Sequence, residues 1–211
     1  MREQFSAKLE EVASETRKLL VRDAEAIRDL AGDLVSDTVR TMKEVEAFEE
    51  ETGRLHRNVE HLVMVLLLMQ HPVAGDLHAL TTSLSMHRDI VRISIQVTEA
   101  QRLWIHLPTE GREACAPLKP TVIALSKMAD ALVAAMESGE EVQLHQVIES
   151  DDEVDKGFDD WKHAVAEALQ ERRINPAVAV DTLLLGKYFE KMGDHLSAIA
   201  KAEMRRIDKE W

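Results

Sequence analysis

The sequence is short of the residues from which disulfide scaffolds, β-sheets and membrane spans are built. Cys115 is its one cysteine, so no intrachain disulfide forms, and a lone thiol in the polar stretch His106 to Pro120 makes no paired-cysteine metal site. It is expected to be an ordinary linker thiol. Eight glycines, five prolines and 4% aromatics supply few of the turns and aromatic pairs that sheets need. The longest apolar run, Leu62 to Met69, falls well below the roughly 20 residues that span a bilayer. The opening residues Met1, Arg2, Glu3 and Gln4 start no apolar signal segment, which predicts a cytoplasmic protein. Positive charge is also in deficit: 26 Lys and Arg stand against 39 Asp and Glu, a formal net charge of -13. Such a surface repels nucleic acid, whose backbone is held by clustered Lys and Arg, and suits a basic protein partner or metal cations instead.

What remains is rich in Ala, Leu, Glu, Lys and Met, the residues of long helices. Hydrophobic residues make up 45% of the 211, enough for a substantial core, and an all-α fold is predicted. Apolar residues recur at helical spacing from Phe5 through Leu9, Val12, Leu19 and Ile27 to Leu30, where Gly32-Asp33 offers a stop and an N-cap. A second helix carries Met42, Val45, Leu55, Val59, Leu62 and Leu66 up to Gln70-His71. Pro72 ends it, because the residue before proline avoids helical dihedrals. A third helix runs from about Val73 to Trp104. The stretch Leu107 to Pro120 holds three of the five prolines plus Gly111, lacks an apolar period, and is expected to be a connection.

The pattern then restarts. A fourth helix from about Pro120 to Met136 stops at Ser138-Gly139, a fifth reaches about Arg173, Asn175-Pro176 breaks it as His71-Pro72 broke the second, and a sixth follows. Gly32 to Pro72 and Gly139 to Pro176 frame helices of nearly equal length, each followed by a long helix, which is the mark of a repeated three-helix unit. The prediction is two tandem three-helix bundles, at 1–106 and 120–211, joined by a linker at 107–119.

On the fifth helix the stripe Val147, Val154, Phe158, Trp161, Val165 keeps its three- and four-residue steps only when Asp151 is included, so a carboxylate takes a core-facing position. Asp155 follows one turn on, and Asp152 and Glu153 crowd it, at a cost of about 0.2 to 0.5 kcal/mol per like-charged i,i+4 pair. The sixth helix offers the complement. Glu190 and Asp194 lie four apart among the small residues Gly186, Gly193 and Ser197, which leave room for an ion. Two such pairs facing each other make an all-oxygen site for a hard or borderline cation such as Mg²⁺, Mn²⁺, Ca²⁺ or iron. Taken alone, an acidic pair four apart more often marks a solvated helix face.

Nine histidines invite a search for further ligands. No Glu-x-x-His occurs, which excludes a ferritin-like di-iron site. His195 is expected to be an exposed helical histidine, with a role beside Asp194 as the alternative, and His87, one turn before Val91, is not expected to be a ligand. Met64, Met69, Met86 and Met192 lie at helical spacing and are expected to fill the core. Trp104 and Trp211 are expected to pack at helix ends.

Glu190-Lys-Met-Gly-Asp194-His195, preceded by Val147-Ile-Glu-Ser-Asp-Asp-Glu-Val-Asp155, resembles the PhoU family of phosphate-transport regulators, whose repeats carry an LERIGD-like segment on the third helix and an acidic segment on the second. In the first half, Gln70-His-Pro-Val-Ala-Gly-Asp-Leu-His78 is similar to the family's QPVAxDLR segment, and Asp89 falls at the aspartate that precedes LERIGD. The resemblance implies a two-repeat, six-helix, homodimeric cytoplasmic protein whose acidic motifs bind metal ions (iron, zinc, magnesium or manganese). It implies a negative regulator, not an enzyme, between a phosphate ABC transporter and a sensor histidine kinase. Carried over residue by residue, the metal site maps to Asp151, Asp155, Glu190 and Asp194, with Glu149 as an extra ligand.

The first repeat departs from the family pattern. Val91, Ser94 and Ile95 stand where the glutamate, glycine and aspartate of LERIGD belong, and the matching acids on the second helix are expected at Glu46 and Glu50, with Glu44, Glu49 and Glu51 leaving the register open by a turn. In the second repeat the counterpart of Asp89 is Tyr188. One metal site is therefore predicted, not two. Val91 and Ile95 join Ile90, Ile93 and Val97 in a helix apolar nearly all round, expected to be buried against the second helix or a second protomer. The alternative function is a helical scaffold without metal, dimerising through that third helix. A metal-dependent phosphohydrolase is the remaining reading, since clustered carboxylates and a metal can activate water.

Overall fold

Each long helix forms because its apolar stripe has somewhere to go. The computed structural model describes residues 2–69 and 74–208, and these form seven α-helices and one 3-10 turn. Helix α1 spans Arg2–Ser36, α2 Met42–Met69 and α3 Ala74–His106. A short α4, Thr109–Ala114, and the 3-10 turn Ala116–Leu118 lead into α5, Lys119–Ser138; α6 spans Glu141–Gln170 and α7 Pro176–Asp208.

The predicted stop at Gly32-Asp33 is not where α1 ends. Leu34 is buried and carries the α1 stripe one turn further, so the helix continues to Ser36. Asp33 instead closes the following turn by accepting from Thr38 Oγ1 at 3.0 Å and Arg40 Nε at 2.7 Å. A capping box opens α2: Thr41 N–H donates to Glu44 Oε2 at 2.7 Å, and Glu44 N–H returns a bond to Thr41 Oγ1 at 3.3 Å. The predicted break at Gln70, His71 and Pro72, the start at Val73, and Trp211 lie outside the described residues. Trp104 is buried near the end of α3 and donates from Nε1 to Thr38 O at 2.7 Å, as packing at a helix end requires.

The stretch expected to be an irregular connection is folded. Gly111, Cys115 and Leu118 are buried in α4 and its flanks, and Arg112 ties them down through Leu107 O at 2.6 Å and Asp37 Oδ1 at 3.0 Å. Burial pushes the Cys115 thiol up to about 12, which makes it unreactive at neutral pH. Gly139 ends α5 as predicted, at a left-handed φ of 70°. Asn175 caps α7 through Oδ1 to Ala177 N–H at 2.9 Å, with Pro176 in the first turn.

Helices α1, α2 and α3 pack pairwise, as do α5, α6 and α7, and the two sets join along α3 against α7 and α1 against α5. The buried side chains of both sets form a single core. Helix α7 is the centre of the second set and of the junction, since its two most extensive contacts are with α6 on one side and α3 on the other. Met86 and Met192 fill the core as expected, whereas Met64 is 53% exposed, because it falls on the outer face of α2 beside Leu67 and Leu68. Among the described residues no helix is long and apolar enough to cross a membrane.

Candidate metal centre

The seam between α6 and α7 is drawn tight by missing side chains. A Cβ on Gly193 would stand 2.8 Å from Asp151 Oδ1 and 3.2 Å from Val154 Cγ1, so glycine is what lets α7 approach α6 at the carboxylates. Asp151 and Asp155, four apart on α6, meet Asp194 of α7 there. One oxygen from each lies within 4.8 Å of the other two, a spacing that one cation with oxygen ligands at about 2.1 to 2.6 Å spans.

Asp151 is the member facing the core. Its Oδ1 is buried without a hydrogen-bond partner among the described residues. Burial first, then the charges of Asp155 and Asp194, push its carboxyl up to about 6, while Ser197 and Lys201 pull the other way. Burial, then Asp194 and Glu190, also raises Asp155. An orphaned buried oxygen among mutually repelling carboxylates is what a cation relieves, so these residues fit a metal of the oxygen-seeking kind.

The predicted set of four is only partly assembled. Glu190 stands beside the three but is turned to Lys187 at 2.7 Å and Lys191 at 3.4 Å, and Lys191 also pairs with Asp194. The lysines supply the positive charge there, so binding by Glu190 requires it to exchange lysine for metal. Glu149 is exposed and not part of the group. His195, expected to be exposed, is partly buried: its Nδ1 lies 3.1 Å from Oδ1 of the buried Asp89. This pair joins α3 of the first unit to the turn of α7 that carries Asp194.

For the metal-free protein the sign of the pH dependence follows. The Asp151 pKa is raised from about 3.9 in the unfolded chain to about 6, so the folded state holds an extra proton between these values. The stabilisation is full below pH 4 and is lost as pH rises through about 6. Asp151 is part-buried, and solvent screening brings the loss to about 1 kcal/mol. Urea unfolding of metal-free protein at pH 4.5 and 7.5 checks it; Asp151→Asn is expected to flatten the difference, and an unchanged slope would refute the assignment.

In the first unit the same face is rebuilt. Thr52, His56, Val91, Ser94 and Ile95 precede Asp151, Asp155, Glu190, Gly193 and Asp194 by the same 99 residues. All five line one cavity of about 120 Å³ between α2 and α3. Glu46 and Glu50, the acids expected here, are exposed and do not line it; Glu49 does, and pairs with Arg102 at 2.6 Å. Nor is α3 buried all round. Ile90, Ile93 and Val97 are, but Val91 is half-buried and Ile95 is 57% exposed, because α2 leaves the cavity between them open. Ile95→Asp is therefore expected to change monomer stability by under about 0.5 kcal/mol. Should the protein dimerise through this face, the same change should weaken the dimer, read by analytical ultracentrifugation.

Sequence reasoning missed the polar groups buried behind this cavity. Asp23 of α1 is wholly buried and accepts from Ser94 Oγ at 2.7 and 2.9 Å, and Ser94 Oγ lies 3.1 Å from His56 Nε2. Burial pushes the Asp23 carboxyl well above the usual carboxylate range. The signal was present: Asp23 falls between Leu19 and Ile27 on the α1 stripe, as Asp151 falls on that of α6.

Two three-helix units joined along α3 and α7 define a duplicated helical-bundle protein with a cluster of carboxylates on its α6–α7 seam. A family model described as the PhoU domain matches residues 17–101 and again residues 124–202, and the chain belongs to the PhoU family. The phosphate-specific transport system accessory protein PhoU homolog 1 of Mycobacterium tuberculosis is 25% identical over 209 residues, covering 95% of this chain and 91% of the relative. A PhoU homolog of the same description from Deinococcus radiodurans is 22% identical, with 95% of each chain covered. The crystal structure of PhoU from Pseudomonas aeruginosa superposes with a TM-score of 0.85 at 18% identity, over 97% of this chain and 99% of that one. The phosphate transport system regulatory protein PhoU from Streptococcus pneumoniae gives 0.79 at 13% identity, over 98% of both.

Proposed function

We propose that this chain is a metal-binding regulator of phosphate uptake and phosphate homeostasis, acting in the cytoplasm as a negative regulator between a phosphate ABC transporter and its sensor histidine kinase. The observation that carries the metal reading is the convergence of Asp151, Asp155 and Asp194 on one point, with Asp151 Oδ1 buried and unpartnered. Family membership and relatives named as accessory proteins of the phosphate-specific transport system support the rest. The ligand oxygens suit iron, magnesium or manganese, and zinc with them. Asp151, Asp155 and Asp194 hold the ion, and Glu190 joins them when it leaves Lys187. The bound cation neutralises the seam and fixes α6 against α7, a binding role and not a catalytic one.

Elemental analysis of protein purified from phosphate-replete cells, beside an Asp151→Asn/Asp155→Asn/Asp194→Asn variant, tests this. The expected result is metal in the first, little in the second, and derepressed phosphate-starvation genes in cells carrying the variant. Equal metal content in both would remove the site. Unchanged gene expression in cells lacking the protein would remove the regulatory role, and metal-dependent phosphoester hydrolysis would move the reading to catalysis. A scaffold without metal, dimerising through α3, is favoured by the exposed Ile95 beside Val91. It predicts that the variant regulates normally while Ile95→Asp does not.

A further inference from the structure

The two units carry basic residues at matching positions, and only one set has partners. In the second unit Lys156 pairs with Asp160, Lys187 with Glu190 at 2.7 Å, and Lys191 with Glu190 at 3.4 Å and with Asp194. Arg57, Arg88 and Arg92 precede these lysines by the same 99 residues, whereas the acids have become His61, Val91 and Ile95. All three arginines are exposed, and among the described residues none has an ion pair or a hydrogen bond. A chain with 39 acidic residues has kept the cations here and withdrawn the carboxylates that would hold them. Each cation is also an arginine, whose planar guanidinium takes a carboxylate through two parallel bonds, where an ammonium acts as a point charge.

The surface between these arginines is apolar. On α2, Arg57, Met64 and Leu67 follow one another at helical spacing, and on α3 Leu77, Leu84, Arg88, Val91 and Ile95 do the same. Met64, Leu67, Leu77 and Ile95 are exposed. The counterparts of Met64 and Leu67 on α6 are the exposed His163 and Ala166, so the second unit shows how this face is made when water covers it. From Arg54 to Leu68 and from Leu77 to Thr98 the only acids are Glu60 and Asp89, and Asp89 is buried against His195. We propose that the outer face of α2 and α3 docks an acidic amphipathic helix of a partner protein, which lays its apolar stripe on Met64, Leu67, Leu77 and Ile95 and gives its carboxylates to Arg57, Arg88 and Arg92. Leu77 to Ile95 offers a run of about 27 Å, five turns of such a helix. Other occupants fit less well. A second copy meeting this face with its own would set arginine against arginine. An anionic bilayer or a nucleic acid meets the whole net charge of -13, while a single helix feels the charges within a Debye length of about 8 Å. This surface stands apart from the Asp151 cluster and requires neither its cation nor the phosphate reading.

The test places a photo-crosslinking amino acid at Leu67 of the full chain in growing cells, with the same group at Ala166 as the comparison, and sequences the crosslinked peptides by mass spectrometry. Leu67 is expected to capture one protein, through a segment that carries Asp or Glu beside apolar residues three and four apart, and Ala166 is not. That segment, made as a fluorescent peptide, is expected to bind the purified full chain. Arg88→Glu/Arg92→Glu should weaken binding at least tenfold, and Arg205→Glu, an exposed arginine at the far end of α7, less than twofold. Both arginines are on the surface, so the double variant should keep the parent's Tm within about 2 °C. A peptide with lysine for its acids should bind the double variant better than the parent. Capture at Leu67 of a second copy of this chain, of lipid, or of nothing beyond what Ala166 captures would overturn the proposal. So would a captured segment without acids, binding unchanged by Arg88→Glu/Arg92→Glu, or displacement of the peptide by inorganic phosphate but not by chloride at equal ionic strength. None of these outcomes bears on the metal content of the Asp151 cluster, which is measured separately.

Discussion

Replacing Asp151, Asp155 and Asp194 together with asparagine is expected to abolish stabilisation by metal while making the metal-free protein sturdier. A cation at one hundred times its dissociation constant stabilises the fold by about 2.7 kcal/mol. For a chain of this size that is a rise in Tm of roughly 5 to 10 °C. The variant should show none of it. Without metal, the three carboxylates repel one another and Asp151 Oδ1 is buried unpaired. Asparagine keeps the shape and removes the charge, so the metal-free Tm of the variant should exceed that of the unsubstituted protein at pH 7.5 by a few degrees, and the two should converge at pH 4.5. Thermal unfolding by circular dichroism, with and without Mn²⁺, reads both halves. A variant less stable without metal than its parent would mean that the carboxylates hold the seam by contacts of their own.

Trp161→Ala is expected to be the most damaging single change on the same seam. Trp161 is 4% exposed and donates from Nε1 to Thr182 O at 3.1 Å, and its Cδ1 lies 2.6 Å from where a Cβ on Gly186 would stand. The indole therefore fills the space that glycine on α7 leaves, and α7 cannot move in to fill it afterwards because α3 holds its other side. Truncation of a buried aromatic costs about 3 to 5 kcal/mol, a fall in Tm on the order of 10 °C or more. Chemical denaturation should show it, with Trp161→Phe retaining most of the stability. A loss under about 1 kcal/mol would mean that the two helices are free to collapse together.

Much of the fold was legible because helices advertise themselves by period. The stripes of α1 and α6 are buried where the spacing placed them, and Gly139 and Asn175-Pro176 end and begin helices through local chemistry that the chain carries with it. What the sequence could not convey is which neighbour covers which side. Met64 and Ile95 sit at helical spacing among apolar residues yet face outward, because the face of a helix is decided by what packs on it. Gly32 continues α1 because Leu34 finds a pocket beyond it. The candidate site divides in the same way. Asp151, Asp155 and Asp194 come together as their spacing implied, while the contest for Glu190 is settled by Lys187, which the acidic motif does not mention. The pairing of Asp89 with His195 joins residues 106 apart and has no local signature.

That separation sets a schedule for the ribosome. Helix α3 is complete long before α7 exists, and at about 5 to 20 residues per second the partner of Asp89 follows roughly 5 to 20 s later. Through that interval the nascent first unit carries an apolar face that α7 does not yet cover, and the core closes only once α7 has emerged. A chain built this way asks for a holding chaperone during synthesis, and its halves, cut apart, would each keep a sticky side.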